Sequence, residues 1–274
     1  MATSGPTLLP AFMSGDADFR TFAQGVHDAL VACGMTQTSD TGQITIASAT
    51  RPLANAFAGY EIWRFSDTLQ ATAPIFFKIE YGSGGAADRP SIAITVGTGS
   101  TGAGAITGQV TSRAVLLPLT SDSAGVTRAL CAQGDSGQIH VIPHGAGSGA
   151  TSLAFGFSIE RTRDSTGAKT GDGFTVVYIN AGAIATQHVP MSGAVPGTTS
   201  TFLTPGAGGA SSIGTDTIMV PLLAQLGKFY YNLLHVMATT DMTWDTVFTA
   251  DIFGVTHTFR SAKMTGATFI YPWE

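Results

Sequence analysis

Short apolar runs separated by clusters of Gly, Ser, Thr, Asp and Pro make up nearly all of the sequence after residue 34. This punctuation is typical of β-strands joined by turns, because these residues stabilise turn conformations that interrupt a helix. Nearly half of the chain is Gly, Ala, Ser or Thr, and 44% is hydrophobic, which is enough for a core. The pattern predicts a mainly β (α+β) fold with antiparallel sheets arranged as a sandwich or barrel.

One segment departs from this pattern and predicts an amphipathic N-terminal helix at about residues 18–33. Four apolar residues recur there at helical spacing: Phe19, Phe22, Val26 and Leu30. Asp16 or Asp18 is expected to cap the start of the helix, because a short acidic side chain accepts hydrogen bonds from the first amides. Gly34 is expected to supply the left-handed residue that follows its end.

Roughly ten strands are predicted after the helix. The clearest is a hairpin of 59–65 with 75–81, in which every second residue of 75–81 is apolar, a pattern that indicates one buried face. Other strands are predicted at 92–96, 108–119, 127–132, 137–142, 151–162, 173–179, 184–189, 247–253 and 255–260. The segment 221–237 fits both helical and strand spacing, and its Phe-Tyr-Tyr run favours a strand from about 229.

The sequence contains no fixed-period repeat and no shift in charge that would mark a domain boundary. We therefore predict a single β-rich domain over 1–274, with an extended N-terminal segment at 1–15. Gly, Pro, Ser and Thr are concentrated at 190–217, which predicts a long loop that is either a mobile arm or a segment ordered only by neighbouring chains.

Charged residues are only 11% of the chain, against about 25% in an average protein. The net charge of −5 and the lack of any basic run argue against nucleic acid as a partner. No stretch approaches the roughly 18 apolar residues of a membrane span, and the first residues lack the pattern of a secretory signal. We expect a soluble chain made in a cytoplasm, with Cys33 and Cys131 as buried thiols.

Two short motifs resemble functional sites. Residues 97–102, GTGSTG, match the dinucleotide fingerprint and precede Asp122 at a fitting distance, but the glycines and Pro118 that follow exclude the helix which that site requires. Residues 134–137, GDSG, match the surroundings of a serine-protease nucleophile, which leaves a serine hydrolase at Ser136 as a remote alternative. Only His27 precedes Ser136, so a glycine-rich hairpin and a tight turn are the simpler predictions.

The histidines and acidic residues of the sequence form no complete motif for a metal site or for acid–base catalysis. Pro143 excludes the helix on which His140 and His144 would share a zinc ion, and no nearby Cys, Asp or Glu completes a ligand set. Glu61 and Glu80 are the nearest candidates for paired acid and base chemistry. Arg64 and Lys78 lie on the same hairpin, so cross-strand ion pairs are expected to account for all four residues. We predict no catalytic, cofactor-binding or metal-binding residues.

Aromatic residues are concentrated on the predicted hairpin. Tyr60, Trp63, Phe76 and Tyr81 are the candidates for contact with a ligand or partner, and stacking on a host-surface glycan is the function that such a platform would have. Aromatic residues opposed across strands also form cores, and this alternative stays open at the level of sequence.

Residues 60–110, and the upstream stretch FAQGVHDALVACGMTQTSDTGQI at 22–44, resemble a family of tailed-bacteriophage virion structural proteins. The segment DIFGVTHTFRSA at 251–262 resembles a strand pair common in phage particle components. The resemblance implies a non-enzymatic virion component, in the tail or baseplate rather than on the head. It carries no functional residues, because proteins of this class are known by their place in the particle.

The sparse charge agrees with that implication. A free monomer is typically covered by about 25–35% charged residues, which this chain does not have. Small neutral residues instead suit permanent interfaces, which are depleted in Lys and Glu. We therefore expect a trimeric or hexameric ring that contacts other virion proteins, in a virion assembled in the host cytoplasm. A glycan-binding module of the tail and a capsid decoration protein are the alternatives.

Overall fold

The sequence pattern of short strands and one early helix is seen directly in a computed structural model. It describes residues 2–118, 123–143, 155–164, 166, 168–180, 183–190, 201–202, 212–213, 216–217, 220–226, 229–239, 247–252, 255–264 and 267–272. The elements are β1 (Ala2–Pro10), α1 (Asp16–Ala32), β2 (Thr36–Gln37), β3 (Phe57–Arg64), β4 (Phe76–Ser83), β5 (Pro90–Gly97), β6 (Gly99–Ser100), β7 (Ile106–Thr107), β8 (Ala114–Leu116), β9 (Thr127–Asp135), β10 (Gln138–Pro143), β11 (Gly156–Arg163), β12 (Lys169–Asn180), β13 (Ala183–Pro190), β14 (Thr201–Phe202), β15 (Ser212–Ile213), β16 (Asp216–Thr217), β17 (Val220–Leu226), β18 (Phe229–Thr239), β19 (Val247–Ile252), β20 (Val255–Met264) and β21 (Ala267–Pro272), with 3-10 turns at Ile46–Ser48 and Thr68–Ala71.

Three larger sheets contain most of these strands. Sheet I has the order β1-β9-β10-β11-β12-β13, sheet II has the order β2-β3-β4-β5-β8, and sheet III has the order β14-β17-β18-β21-β20-β19. Neighbouring strands run antiparallel in each sheet. The predicted mainly β (α+β) fold with antiparallel sheets and one α-helix is confirmed for the described residues.

The strand predictions hold in most places. The 59–65 and 75–81 hairpin is present as β3 and β4, and 221–237 forms the strands β17 and β18, with β18 beginning at Phe229. The predicted strand at 108–119 is wrong over most of its length, since only Ala114–Leu116 is a strand there. The N-terminal segment expected to be extended contains the sheet strand β1. Most of the arm predicted at 190–217 lies outside the described residues.

Helix α1 begins earlier than predicted and is not capped by an aspartate. Gly15 occupies the N-cap position and has no side chain to cap the first amides, so the predicted role of Asp16 or Asp18 is wrong. Asp18 lies in the first turn and accepts a hydrogen bond from the backbone N–H of Ser14 at 2.8 Å. Acidic side chains are favourable in this turn because the helix dipole is positive at its N-terminus.

The end of α1 follows the sequence prediction. Gly34 has a φ of +84°, and its N–H donates to the carbonyl of Val31, while the N–H of Met35 donates to the carbonyl of Leu30. This pair of hydrogen bonds is a Schellman motif, which satisfies carbonyls at the end of the helix. The four apolar residues predicted to face the core are all buried. Cys33, at this end of the helix, is a buried thiol as predicted, whereas the side chain of Cys131 lies outside the described set.

The core lies between sheet I and sheet II, and α1 packs against β1, β9 and β10 beside it. The rings of Phe77 in β4 and Phe157 in β11 approach with centroids 6.0 Å apart, so the two sheets meet through their side chains. No helix in the described part of the chain is long and apolar enough to cross a membrane.

Candidate functional site

The β3–β4 hairpin divides its side chains between two faces of sheet II. Trp63 opposes Phe77 on one face, and Arg64 opposes Phe76 on the other. Trp63 and Phe77 are buried in the core, whereas Arg64 is exposed and Phe76 is half-buried. The hairpin therefore has an inner face toward sheet I and an outer face away from it.

The four aromatic residues predicted to contact a ligand do not share one surface. Trp63 and Tyr81 are both 0% exposed and lie on the inner face, while Tyr60 and Phe76 lie on the outer face and are partly exposed. The prediction of one platform is wrong, because successive side chains of a strand point to opposite sides of the sheet. Tyr60 and Phe76 alone remain candidates for contact with a ligand or partner.

Tyr60 connects the turn at 38–43 to the outer face through a hydrogen bond. Its hydroxyl donates to the carbonyl of Thr41 at 3.0 Å, and Lys78 Nζ lies 3.9 Å from the centroid of its ring. Lys78 Nζ also donates to the carbonyl of Gly104 at 3.0 Å. Gly104 has a φ of +88°, and a Cβ there would overlap the hydroxyl of Tyr60, so the loop passes close to the ring only because this residue is glycine.

Asp40 joins the same turn to the loop between β6 and β7. Its Oδ1 accepts hydrogen bonds from Thr38 Oγ1 at 2.6 Å and Ser100 Oγ at 2.9 Å, and its Oδ2 accepts one from the Gly104 amide at 3.2 Å. Burial raises the pKa of Asp40, but the hydrogen bonds from Thr38, Ser100 and the glycine amides outweigh burial and leave the pKa below its ordinary value. The carboxylate is therefore ionised and holds both loops in place.

These loops border a groove on the outer face, which we call the outer groove. It is lined by the turn at 37–40, the loop at 100–102, Arg64 and Phe76, and its volume is about 570 Å³. This size lies within the roughly 300–1,000 Å³ of small-molecule sites. The lining combines an aromatic ring, a guanidinium group and several hydroxyl groups.

The glycine-rich motif at 97–102 belongs to the wall of this groove. The strands β6 and β7 pair there as a small hairpin, and no helix begins at the glycines. The predicted glycine-rich hairpin is therefore confirmed, and the requirement of the dinucleotide fingerprint for a helix N-terminus is not met. Asp122 lies outside the described residues.

The GDSG motif at 134–137 forms the tight turn predicted between two strands, here β9 and β10. Asp135 Oδ1 accepts a hydrogen bond from the Gly137 amide at 2.9 Å, which is the expected way for an aspartate to stabilise a turn. The carbonyl of Ser136 accepts hydrogen bonds from the amides of Ser66 and Asp67. The turn therefore ties sheet I to the loop that follows β3.

The histidine side chains that the structure describes are engaged away from Ser136. His27 Nδ1 lies 2.8 Å from Glu61 Oε1, and His140 Nδ1 lies 2.6 Å from Ser158 Oγ. His140 is buried as well as hydrogen-bonded, and His144 lies outside the described residues. The described residues thus place no imidazole in contact with the hydroxyl of Ser136.

Glu61 is the centre of a buried polar cluster that the sequence pattern did not predict. Besides His27, its carboxylate accepts a hydrogen bond from Tyr81 Oη at 2.5 Å and one from Gln37 Nε2 at 3.3 Å. Burial, followed by the charge of Glu61, raises the pKa of Tyr81 well above its ordinary value, so the phenol remains a donor.

The cross-strand ion pairs expected on the hairpin are absent among the described contacts. Glu80 instead pairs with Arg113, with 2.6 Å between Oε2 and Nε, and Lys78 contacts Tyr60 and a loop carbonyl. Glu61 and Glu80 lie on opposite faces of the strand pair, so they cannot act together on one bond. The prediction failed because Glu80 has its cationic partner outside the hairpin and Lys78 contacts an aromatic ring and a carbonyl instead of a carboxylate.

A second buried polar cluster lies in sheet I. Arg161 is 0% exposed and donates to Asp67 Oδ2 at 2.6 Å, to Asp67 Oδ1 at 2.9 Å and to the carbonyl of Ala73 at 2.8 Å. Arg163 donates to Glu160 Oε1 at 3.1 Å and to Gln138 Oε1 at 2.7 Å. Arg163 and Glu160 are three residues apart, whereas Arg161 and Asp67 are 94 residues apart, and no local motif predicts the longer pair.

Burial shifts the pKa of two groups in this sheet in opposite directions. It raises the pKa of Glu160 to about 7, although Arg163 opposes the rise, and it lowers the pKa of His140 to about 3. Both shifts favour the neutral form, because a charged group loses its hydration in the interior. Burial therefore keeps His140 neutral near neutral pH.

No group of three or more His, Cys, Asp or Glu side chains suited to a metal ion occurs in the described ranges. Comparison of the chain with models of protein families, with curated proteins and with solved structures finds no match.

Proposed function

We propose that this protein is a non-enzymatic structural component of a tailed-bacteriophage virion, located in the tail or baseplate. Its surface is poor in charge, and neighbouring copies and other virion proteins cover much of it. The resemblance of residues 22–44 and 60–110 to virion structural proteins names the class, and the low charge of the chain supports it.

The observation that carries the proposal is that the chain contains little charge and encloses part of it. Arg161, Glu160 and Glu61 are each at most 2% exposed, and Asp40 is 7% exposed. These four side chains contribute almost nothing to the charge of the surface. Charged residues are only 11% of the chain, well below the roughly 25–35% on the surface of a free monomer, and sparse charge is typical of permanent interfaces.

Exposed apolar residues and sheet edges support the same proposal. Leu8, Val31 and Leu53 are 65%, 54% and 80% exposed. In the described part of sheet I, β1 and β13 lie at the edges, so each has one strand neighbour. Edge strands present unpaired backbone groups that pair readily with another chain, and closed rings satisfy such edges.

The test begins with the oligomeric state of the purified full chain, measured by multi-angle light scattering and viewed by negative-stain electron microscopy. We expect closed rings of three or six copies. Mass spectrometry of purified phage particles and immunogold labelling should then detect the protein at the tail. A chain that remains monomeric at high concentration and is missing from particles would contradict the proposal.

The non-enzymatic part of the proposal has its own test. A fluorophosphonate probe labels serine hydrolases at the activated nucleophile. We expect no labelling at Ser136, because the described histidine side chains contact Glu61 and Ser158 instead. Stoichiometric labelling that Ser136→Ala abolishes would establish the hydrolase alternative.

A further inference from the structure

We propose that the outer groove binds a saccharide that carries a carboxylate group. This inference goes beyond the structural role, because it concerns a surface of the single chain and holds whether or not the chain forms rings. Three features carry it: an exposed cation without a counterion in the described part of the chain, an aromatic wall, and loops that are fixed before the ligand binds.

Arg64 supplies the cation. It is exposed at the end of β3, borders the groove, and makes no side-chain hydrogen bond or ion pair with the described residues. Arg113 and Arg161 differ from Arg64, because each forms an ion pair with a carboxylate of the protein. A guanidinium group matches a carboxylate through two parallel hydrogen bonds, so a ligand carboxylate is the partner that Arg64 fits best.

Asp40 is the acidic residue of the groove, and its carboxylate oxygens are already occupied. Three donors bind these oxygens, and Asp40 is 7% exposed, so a ligand has little access to them. Arg64 is exposed at the rim and forms no ion pair with the described residues. The charged group that a ligand can contact directly is therefore the guanidinium group of Arg64, which favours an anionic ligand over a cationic one.

Phe76 supplies the apolar wall. It is the cross-strand partner of Arg64, so the two side chains leave neighbouring positions on the outer face, and both line the groove. One face of a pyranose ring presents C–H groups that pack against an aromatic ring, while its substituents remain available to polar groups. The adjacent cation and ring thus match a sugar acid better than a small carboxylate such as acetate.

The remaining walls supply hydroxyl groups on fixed loops. Ser39 and Thr101 are exposed at the groove, and the loops that hold them are joined by Asp40 and by the hydrogen bond from the Thr41 amide to the carbonyl of Gly102 at 2.9 Å. Because these loops are already held, binding orders few additional groups. This arrangement can hydrogen-bond the hydroxyl groups of a sugar without rearrangement.

The test uses oligogalacturonate and its methyl ester, which differ in the charge of the carboxylate, with acetate as the small-anion arm. Binding to the full chain is measured by isothermal titration calorimetry and saturation-transfer NMR. We expect saturable binding of oligogalacturonate, and binding of the ester and of acetate at least about tenfold weaker. Equal binding of acid and ester, or no saturable binding of the acid, would overturn the proposal.

Variants locate the site. Arg64→Gln should weaken binding of oligogalacturonate at least about tenfold, and Phe76→Leu should weaken it while keeping an apolar side chain. Arg113→Gln is the matched control, since it removes a cation elsewhere on sheet II and should leave binding unchanged. Thermal unfolding confirms that each variant is folded. Equal losses in the Arg64 and Arg113 variants would mean a nonspecific effect of net charge and would refute the groove as the site.

Discussion

The guanidinium group of Arg161 and the carboxylate of Asp67 form a two-point ion pair, although 94 residues separate them in sequence. Arg161 lies in β11 of sheet I, and Asp67 lies in the loop after β3 of sheet II. The adjacent amides of Ser66 and Asp67 also donate to the carbonyl of Ser136 in sheet I. One short loop thereby joins the two sheets that enclose the core.

Replacing Asp67 should destabilise the protein strongly. Asp67→Asn leaves the buried Arg161 without its counterion, and removal of one partner of a buried pair costs about 3–5 kcal/mol. Urea unfolding measures the change in the free energy of unfolding. Asp16→Asn is the control, because the pair of Asp16 with Arg20 is exposed and should contribute at most about 1 kcal/mol. Similar losses in the two variants would contradict the assigned role.

The pH dependence of stability should include a contribution from Glu160. Its pKa is about 7 in the folded protein and 4.5 in the unfolded chain, so the folded state binds the proton more tightly. The contribution is fully present below pH 4.5 and is lost as the pH rises through 7. Glu160→Gln stays neutral, so the stability of the variant should fall less over this range, by up to about 3 kcal/mol.

Comparing the wild-type protein with Glu160→Gln separates the pH dependence due to Glu160 from the pH dependence due to His140. The lowered pKa of His140, about 3, gives a dependence of opposite sign, in which stability is lost as the pH falls from 6.5 toward 3. That dependence is common to the wild-type protein and to Glu160→Gln, and it cancels in their difference. If the wild-type protein and Glu160→Gln gave identical profiles of unfolding free energy against pH, burial would not raise the pKa of Glu160.

Two glycines of the β6–β7 loop offer a matched test of the outer face. Gly102 and Gly104 both have positive φ, but a Cβ at Gly102 meets open space and one at Gly104 overlaps Tyr60. Gly102→Ala should cost about 1–2 kcal/mol from backbone strain alone. Gly104→Ala should cost more, because Tyr60 must also move. Equal losses in urea unfolding would mean that Tyr60 does not hold the loop.

Tyr81 should stabilise the fold through its hydroxyl group. Tyr81→Phe removes a donor to the buried carboxylate of Glu61, and hydrogen bonds to charged groups contribute about 1.5–3 kcal/mol. Tyr60→Phe is the control, since its hydroxyl donates to a neutral carbonyl at the surface and should contribute about 0.5–1.5 kcal/mol. Denaturant midpoints of the two variants report the difference, and a larger loss in Tyr60→Phe would contradict the ranking.

The sequence predictions that the structure confirms came from local patterns. The spacing of Phe19, Phe22, Val26 and Leu30 identified the buried side of α1, and Gly34 marked its end, because both depend on residues within a few positions of each other. The alternation at 75–81 likewise identified the buried side of β4.

Long-range relationships explain what the sequence could not predict. Both faces of the hairpin carry aromatic residues, and only the position of sheet I decides that Trp63 is buried and Phe76 borders a groove. The outer groove itself is built from segments near 40, 64, 76 and 101, which no contiguous motif joins. The one local motif in its lining is the glycine-rich stretch at 97–102, and that motif resembles a dinucleotide-binding site instead of a groove of this kind.

The pairing of β1 with β9 affects how the chain folds during its synthesis on the ribosome. Ala2 pairs with Gly134, so β1, which is synthesised well before β9, cannot form these backbone hydrogen bonds until β9 has emerged. Contacts of such wide sequence separation slow folding, because a long loop must close before they stabilise the chain. Helix α1, which packs on β1, is left without this support throughout that interval, so nascent-chain assays should detect its docking only after residue 135 has left the exit tunnel.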